Sequence, residues 1–225
     1  MPVPSMNGAD WPRDQALLHE ETSDPDETPE PVEIWEWYAV STGDQDALLD
    51  AFGMVAAKPV TMRRGIEVMD AWWSVGAYVT YFSPELDDWT LVFGYPPVHT
   101  SPESLRVLLC DLSRRFGTAC WYRFDYGFQG WALSENGDLT RLYTQGDHGR
   151  TEIGPPHRAE GDNWPFAPSP EELETWPMCD PWTVAERTSM NPKTLGSHTR
   201  MRGHAVIAVT AAERAKGLPA DMMPG

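Results

Sequence analysis

Arg123, Asp125, Arg141 and His148 are the residues whose types and spacing come nearest to a chemical site. Arg123 and Asp125 stand two apart in the aromatic segment 120–126, and a strand turns such a pair to one side. Arg141 belongs to a strand nearby, and His148 to the loop that follows it. Two guanidiniums, a carboxylate and an imidazole are suited to holding an anionic ligand. The competing reading is a solvated ion-pair ladder on the open face of a half-covered sheet, and the strand spacing favours it.

Other chemistries find less support. The six histidines (His19, His99, His148, His157, His198, His204) and three cysteines (Cys110, Cys120, Cys179) never fall at the close spacing that sets two metal ligands on one turn or knuckle. Cys110 and Cys120 read as small buried residues. There is no G-x-S-x-G elbow, no G-x-x-x-x-G-K-[ST] loop and no G-x-G-x-x-G turn. Neither a metal nor a cofactor is expected, and no residue set names a reaction.

Tryptophan gives a different lead. Of the 11 in the chain, Trp35, Trp37, Trp72, Trp73, Trp89, Trp121 and Trp131 fall in or beside expected strands. One sheet with one covering helix cannot easily bury them all, and tryptophan is enriched at the centres of protein interfaces. Trp35, Trp37, Trp72 and Trp73 are therefore candidate partner-binding residues. The alternative is that the C-terminal segments cover the second face and take these rings into the core.

The elements that position these side chains centre on residues 89–143. The segment 89–93 reads as a strand that stops at Gly94-Tyr95-Pro96-Pro97. Leu105, Leu108, Leu109, Leu112 and Phe116 keep helical spacing over 101–116, with Gly117 as C-cap. A strand over 120–126 follows, and Asn136-Gly137 joins strands 131–135 and 138–143 as a hairpin. Upstream, 35–40 has strand character, and Leu48, Leu49 and Phe52 mark a short helix after Asp44. Residues 59–62 read as a strand, 63–65 as a turn, and 77–82 as a strand joined to 89–93 by the connection 83–88. The pattern predicts about six strands and two helices before residue 145. That is an α+β fold: a mostly antiparallel curved sheet with one main packed helix, followed by short C-terminal helices.

Three regions follow: an acidic, Pro-rich disordered tail (1–33), an α+β sheet core (34–165), and a C-terminal helical segment packed on the core (166–225). From Glu20 to Glu36 the chain has eight carboxylates and no Lys or Arg, a composition that cannot offset the entropy of ordering. Residues 145–167 read as a long loop. Ser169-Pro170-Glu171-Glu172, Asp180-Pro181 and Asn191-Pro192 each read as a helix start. A final strand is expected over 204–210 and a helix after Thr210. Within 183–204, a helix, tight turn and helix, with Arg187, Lys193, Arg200 and Arg202, resemble a helix-turn-helix DNA reader.

Over the whole chain the formal net charge is −17 and the pI about 4.6. That balance opposes non-specific binding to nucleic acid or anionic membrane and suits a basic protein partner, or simply solubility. No apolar run approaches the ~18 residues that span a bilayer, and the sparse cysteines suit a reducing, cytoplasmic setting.

Three stretches, taken together, carry a family likeness: 89–94; Leu112-Ser113-Arg114-Arg115-Phe116-Gly117 with the aromatic strand to Trp131 and residues 137–143; and Val184-Ala185-Glu186 with 191–195. Over roughly residues 85–200 the chain resembles a loose group of uncharacterised bacterial proteins, some of them similar to immunity proteins of toxin systems. The resemblance implies binding and blocking of a protein partner; its motifs are structural, and it transfers no functional residue. Two main expectations result. The first is a non-enzymatic, immunity-like cytoplasmic binding protein with an acidic, aromatic surface. The second is a small-molecule-binding or modifying enzyme with its site between the sheet and loop 145–167. DNA binding through 183–204 is a third reading.

Overall fold

The structure, a computed structural model, describes residues 28–73, 78–94, 101–125, 127–147, 149–160 and 180–215, the side chains of Trp72 and Trp73 excepted. In chain order the elements are β1 (Glu36–Val40), α1 (Gln45–Ala51), β2 (Met54–Val60), α2 (Met62–Trp73), β3 (Thr80–Leu86), β4 (Trp89–Phe93) and α3 (Pro102–Phe116). Then come β5 (Thr118–Asp125), β6 (Phe128–Glu135), β7 (Asp138–Gly146), β8 (Gly149–Ile153), α4 (Pro181–Thr188), β9 (Met201–Arg202), β10 (Ala205–Thr210) and α5 (Ala211–Ala215). The strands form one antiparallel sheet in the order β2-β10-β3-β4-β1-β5-β6-β7-β8, with β9 beside β3. The fold is broadly α+β, dominated by a sheet that does not close.

Local sequence accounts for the best-formed parts. The Ser101 hydroxyl accepts from the Ser104 amide to cap α3, Pro102 begins the helix, and Gly117 ends it at φ 93°. Leu105, Leu108, Leu109 and Leu112 recur at helical spacing and are buried against the sheet. Asn136 (φ 53°) and Gly137 (φ 93°) supply the two left-handed positions of a tight hairpin turn between β6 and β7. Asp87 and Asp88 do the same between β3 and β4, at φ 47° and 72°.

Both faces of the sheet are covered. Leu48 of α1 and the leucines of α3 pack with Tyr38, Val92, Trp121, Ala132 and Leu142 on one face. Met62, Val68 and Met69 of α2 and Val184 and Ala185 of α4 pack on the other. On this second face one row of register partners crosses six adjacent strands: Tyr81, Phe93, Trp37, Tyr122, Trp131 and Tyr143. All six are at most 2% exposed. Trp37 stacks on Tyr122 at 4.9 Å between ring centroids, and Tyr81 on Phe93 at 5.4 Å.

Several expectations need correcting. The main covering helix α3 is joined by α2 and α4 on the opposite face, because central strands such as β1 do not alternate: Trp37, Tyr38, Ala39 and Val40 are all apolar, so both sides must be buried. Residues 63–65 open α2 rather than turn, since Ile66, Val68 and Met69 give the segment an inward side that the isolated Gly65 does not break. Most of 83–88 is strand, with a register shift at Pro84. The stretch 145–167 begins as the end of β7 and returns as β8, which pairs back along β7 from Gly149 opposite Gly146.

Strand 204–210 is present as β10, but it lies inside the sheet between β2 and β3. Upstream of β1, Pro29 is buried and the Val32 amide donates to the Pro192 carbonyl. Residues 1–27, the capping box at 169–172 and residues 216–225 lie outside the described residues. Among those described, no helix is long and apolar enough to cross a membrane.

Candidate functional site

The four sequence-derived site residues do not converge. Arg123 is the register partner of Glu36 and Gly130, and Gly130 in turn of Thr144, which places its side chain on the α3 face. Arg141 is in phase with Tyr143 and pairs with Leu133, so it points to the α4 face. Asp125 stays with Arg123, as the two-residue spacing requires, at 3.0 Å. His148 lies outside the described residues.

Around Arg123 the contacts are partly open. Its guanidinium lies 3.8 Å from Glu36 and 4.9 Å above the Phe128 ring. Glu36 also accepts from the Trp121 indole at 2.9 Å. Burial raises the Glu36 pKa from its ordinary value, against the lowering effects of that indole and of Arg123. Glu36, Arg123 and Asp125 form an ion-pair ladder, but without Arg141 and on a face that α3 covers rather than on an open one.

Arg141 has a different environment. Its side chain is 1% exposed and meets the fully buried Glu160 carboxylate at 2.7 Å. It also donates to Glu152 at 2.7 Å and to the Gly154 carbonyl at 2.8 Å. Glu160 in turn accepts from the His157 amide at 3.0 Å. The guanidinium's donors are engaged by two carboxylates and a carbonyl, Arg150 offsets the second carboxylate at Glu152, and the pair with Glu160 pins the segment 154–160 to β7. Sequence reasoning missed Glu160 and Glu152; a Glu in an apparent loop, 19 residues from its partner, carries no local signal.

The remaining polar groups of the α4 face are also internal. The Tyr122 hydroxyl lies 2.6 Å from the Thr188 hydroxyl and 2.7 Å from that of Ser189. Burial pushes the Cys120 thiol beside them up to about 12, so it is no nucleophile at neutral pH. Gln129 is 3% exposed, and among the described residues neither of its amide atoms has a partner; nor do the indole nitrogens of Trp37, Trp131 and Trp182. No group of three potential metal-ligating side chains is present among the described residues.

The tryptophans divide sharply. Trp37 is a core residue, not a partner contact, because its strand phase sends it under α4. The side chains of Trp72 and Trp73 lie outside the description, although their backbone is in α2. Trp35 is 47% exposed and stacks on Phe124, which meets Trp182, whose ring carries the Lys193 ammonium at 3.7 Å. Glu33 and Asp125 lie at the same end of the sheet, where β1 begins and β5 finishes.

The segment 183–204 does not build a two-helix reader. Asp180 caps α4 by accepting from the Trp182 and Thr183 amides. After Ser189 only one 3₁₀ turn follows, Pro192–Thr194, with Pro192 and Leu195 buried. The Asn191-Pro192 start is real, but its Pro and Leu anchor the turn to the core before a recognition helix can extend. No family model, curated protein or solved structure matches the chain.

Proposed function

We propose that this is a non-enzymatic binding protein that engages a basic protein partner through the end of the sheet bearing Trp35. The observation that carries the reading is Trp35 itself. Among tryptophans with described side chains, it is the one that stands close to half exposed, held flat by Phe124. A half-exposed, pre-stacked indole offers a rigid contact and a face for a Lys or Arg side chain. Glu33 and Asp125 add accessible carboxylates nearby. The net charge of −17 would speed encounter with a basic surface. In this proposal the protein is immunity-like and acts in the cytoplasm, blocking its partner by occupancy.

The test is affinity capture from the native cell at low and high salt, with Trp35→Ala in parallel. The expected result is a basic protein whose capture falls as salt rises and falls at least tenfold with Trp35→Ala. Capture unaffected by that change moves the contact elsewhere. Reproducible turnover of a cell metabolite, lost with Arg123→Ala, replaces binding with enzymology.

A further inference from the structure

The two edges of the sheet differ. β2 carries Lys58 and Pro59, a charge and a residue without an amide proton, both devices by which natural edges avoid pairing. β8 has neither. Its sequence is Gly-Arg-Thr-Glu-Ile, all five residues are exposed, and among the described residues only β7 pairs with it. An edge strand turns alternate amides and carbonyls outward, ready for another strand.

The charges on this edge are self-complementary. Arg150 and Glu152 project on one face, in register with Gln145 and Tyr143, and form an ion pair with each other. An antiparallel second copy centred on Thr151 sets Arg150 opposite the partner's Glu152 and Glu152 opposite the partner's Arg150. The four side chains then alternate in sign, the arrangement that favours cross-strand pairing. On the other face the same register lays Ile153, 40% exposed, over the partner's Gly149. A Cβ added at Gly149 meets nothing within 4 Å, so there is room for that side chain. Shifting the register by two residues loses both charge pairs. We propose that β8 is a homodimer edge, two copies pairing antiparallel about Thr151 to continue the sheet across a two-fold axis.

The proposal is independent of the Trp35 surface, and its test uses the full chain alone. Sedimentation at about 0.15 M salt, where the screening length is about 8 Å, mutes the repulsion of two acidic chains. The expected result is a dimer fraction that rises with concentration and falls at least tenfold with Arg150→Glu or Thr151→Lys. Both positions are exposed, and an unchanged melting midpoint shows that the fold survives. Thr151→Cys faces its own copy at the Cα separation of about 4.5–5.5 Å that a disulfide spans, so mild oxidation should cross-link it above the unsubstituted chain. Ile153→Cys faces Gly149 and should cross-link far less. A monomer at every concentration, a dimer indifferent to both charge variants, or equal cross-linking at the two cysteines overturns the proposal. So does a chain that stays monomeric and captures only an unrelated strand at this edge.

Discussion

Arg123 and Arg141 stand on opposite faces of the sheet, with one strand between theirs. The first belongs to a partly open ladder with Glu36 and Asp125, and the second to a closed pair with Glu160. They cannot grip one ligand, and their substitution should have different consequences.

Arg141→Met should cost about 3–5 kcal/mol, because Glu160 is left as a buried charge without its counter-ion. Arg141→Met with Glu160→Gln should recover much of the loss. Urea unfolding of the two variants measures this; equal destabilisation of both would mean that hydrogen bonding, not charge, holds the segment 154–160.

Leu109→Ala or Leu112→Ala should each cost about 2–5 kcal/mol, since both are fully buried between α3 and the sheet. Trp37→Ala should cost about 3–5 kcal/mol by opening the aromatic row. Trp35→Ala should stay within about 0.5–1 kcal/mol of the native chain, as an exposed position does. Denaturant midpoints for the two tryptophans test their assignment to core and surface.

The contrast between these tryptophans shows what the sequence could convey. Helix α3, the Asn136-Gly137 hairpin and the caps at Asp180 and Asn191 rest on neighbours within one or two turns, and the residue pattern announces them. Strand phase was also legible: it correctly keeps Arg123 with Asp125. Which strands become neighbours was not, since the six-residue aromatic row exists only once β3 and β4 lie beside β1. Without that order, Trp37 reads as surplus surface rather than core. The Arg141–Glu160 pair was hidden for the same reason, one partner lying beyond the hairpin that closes over it.

Glu36 gives a pH-dependent prediction. Burial raises its folded pKa above that of the unfolded chain, so ionisation opposes folding at neutral pH. The penalty is absent below the unfolded pKa and grows as pH rises through the folded one. Glu36→Gln, which retains an oxygen for the Trp121 indole, should therefore stabilise the protein at neutral pH. Its advantage should shrink as pH falls through the carboxylate range, and melting curves along a pH series check the trend. A native chain that loses ground to the variant on acidification would show that the Arg123 interaction outweighs burial.

Cys120 should resist alkylation in the folded protein at neutral pH, because its thiol is enclosed and pushed up to about 12. Site mapping by mass spectrometry, with and without denaturant, should find it labelled only after unfolding. Labelling under native conditions would reveal opening of the α4 face.

The place of β10 constrains the order in which the protein can be made. It fills the slot between β2 and β3, and the Gln45 side chain contacts the His204 carbonyl across 159 positions of chain. Until residues 205–210 leave the ribosome, β2 has no strand beside it and β3 lacks one neighbour. A nascent chain therefore carries two open seams through most of its synthesis, and its final closure waits on a long-range encounter of the slow kind. Translation arrested before residue 205 should leave a product that proteases and chaperones treat as unfinished, however complete α3 and the β5–β8 meander already are.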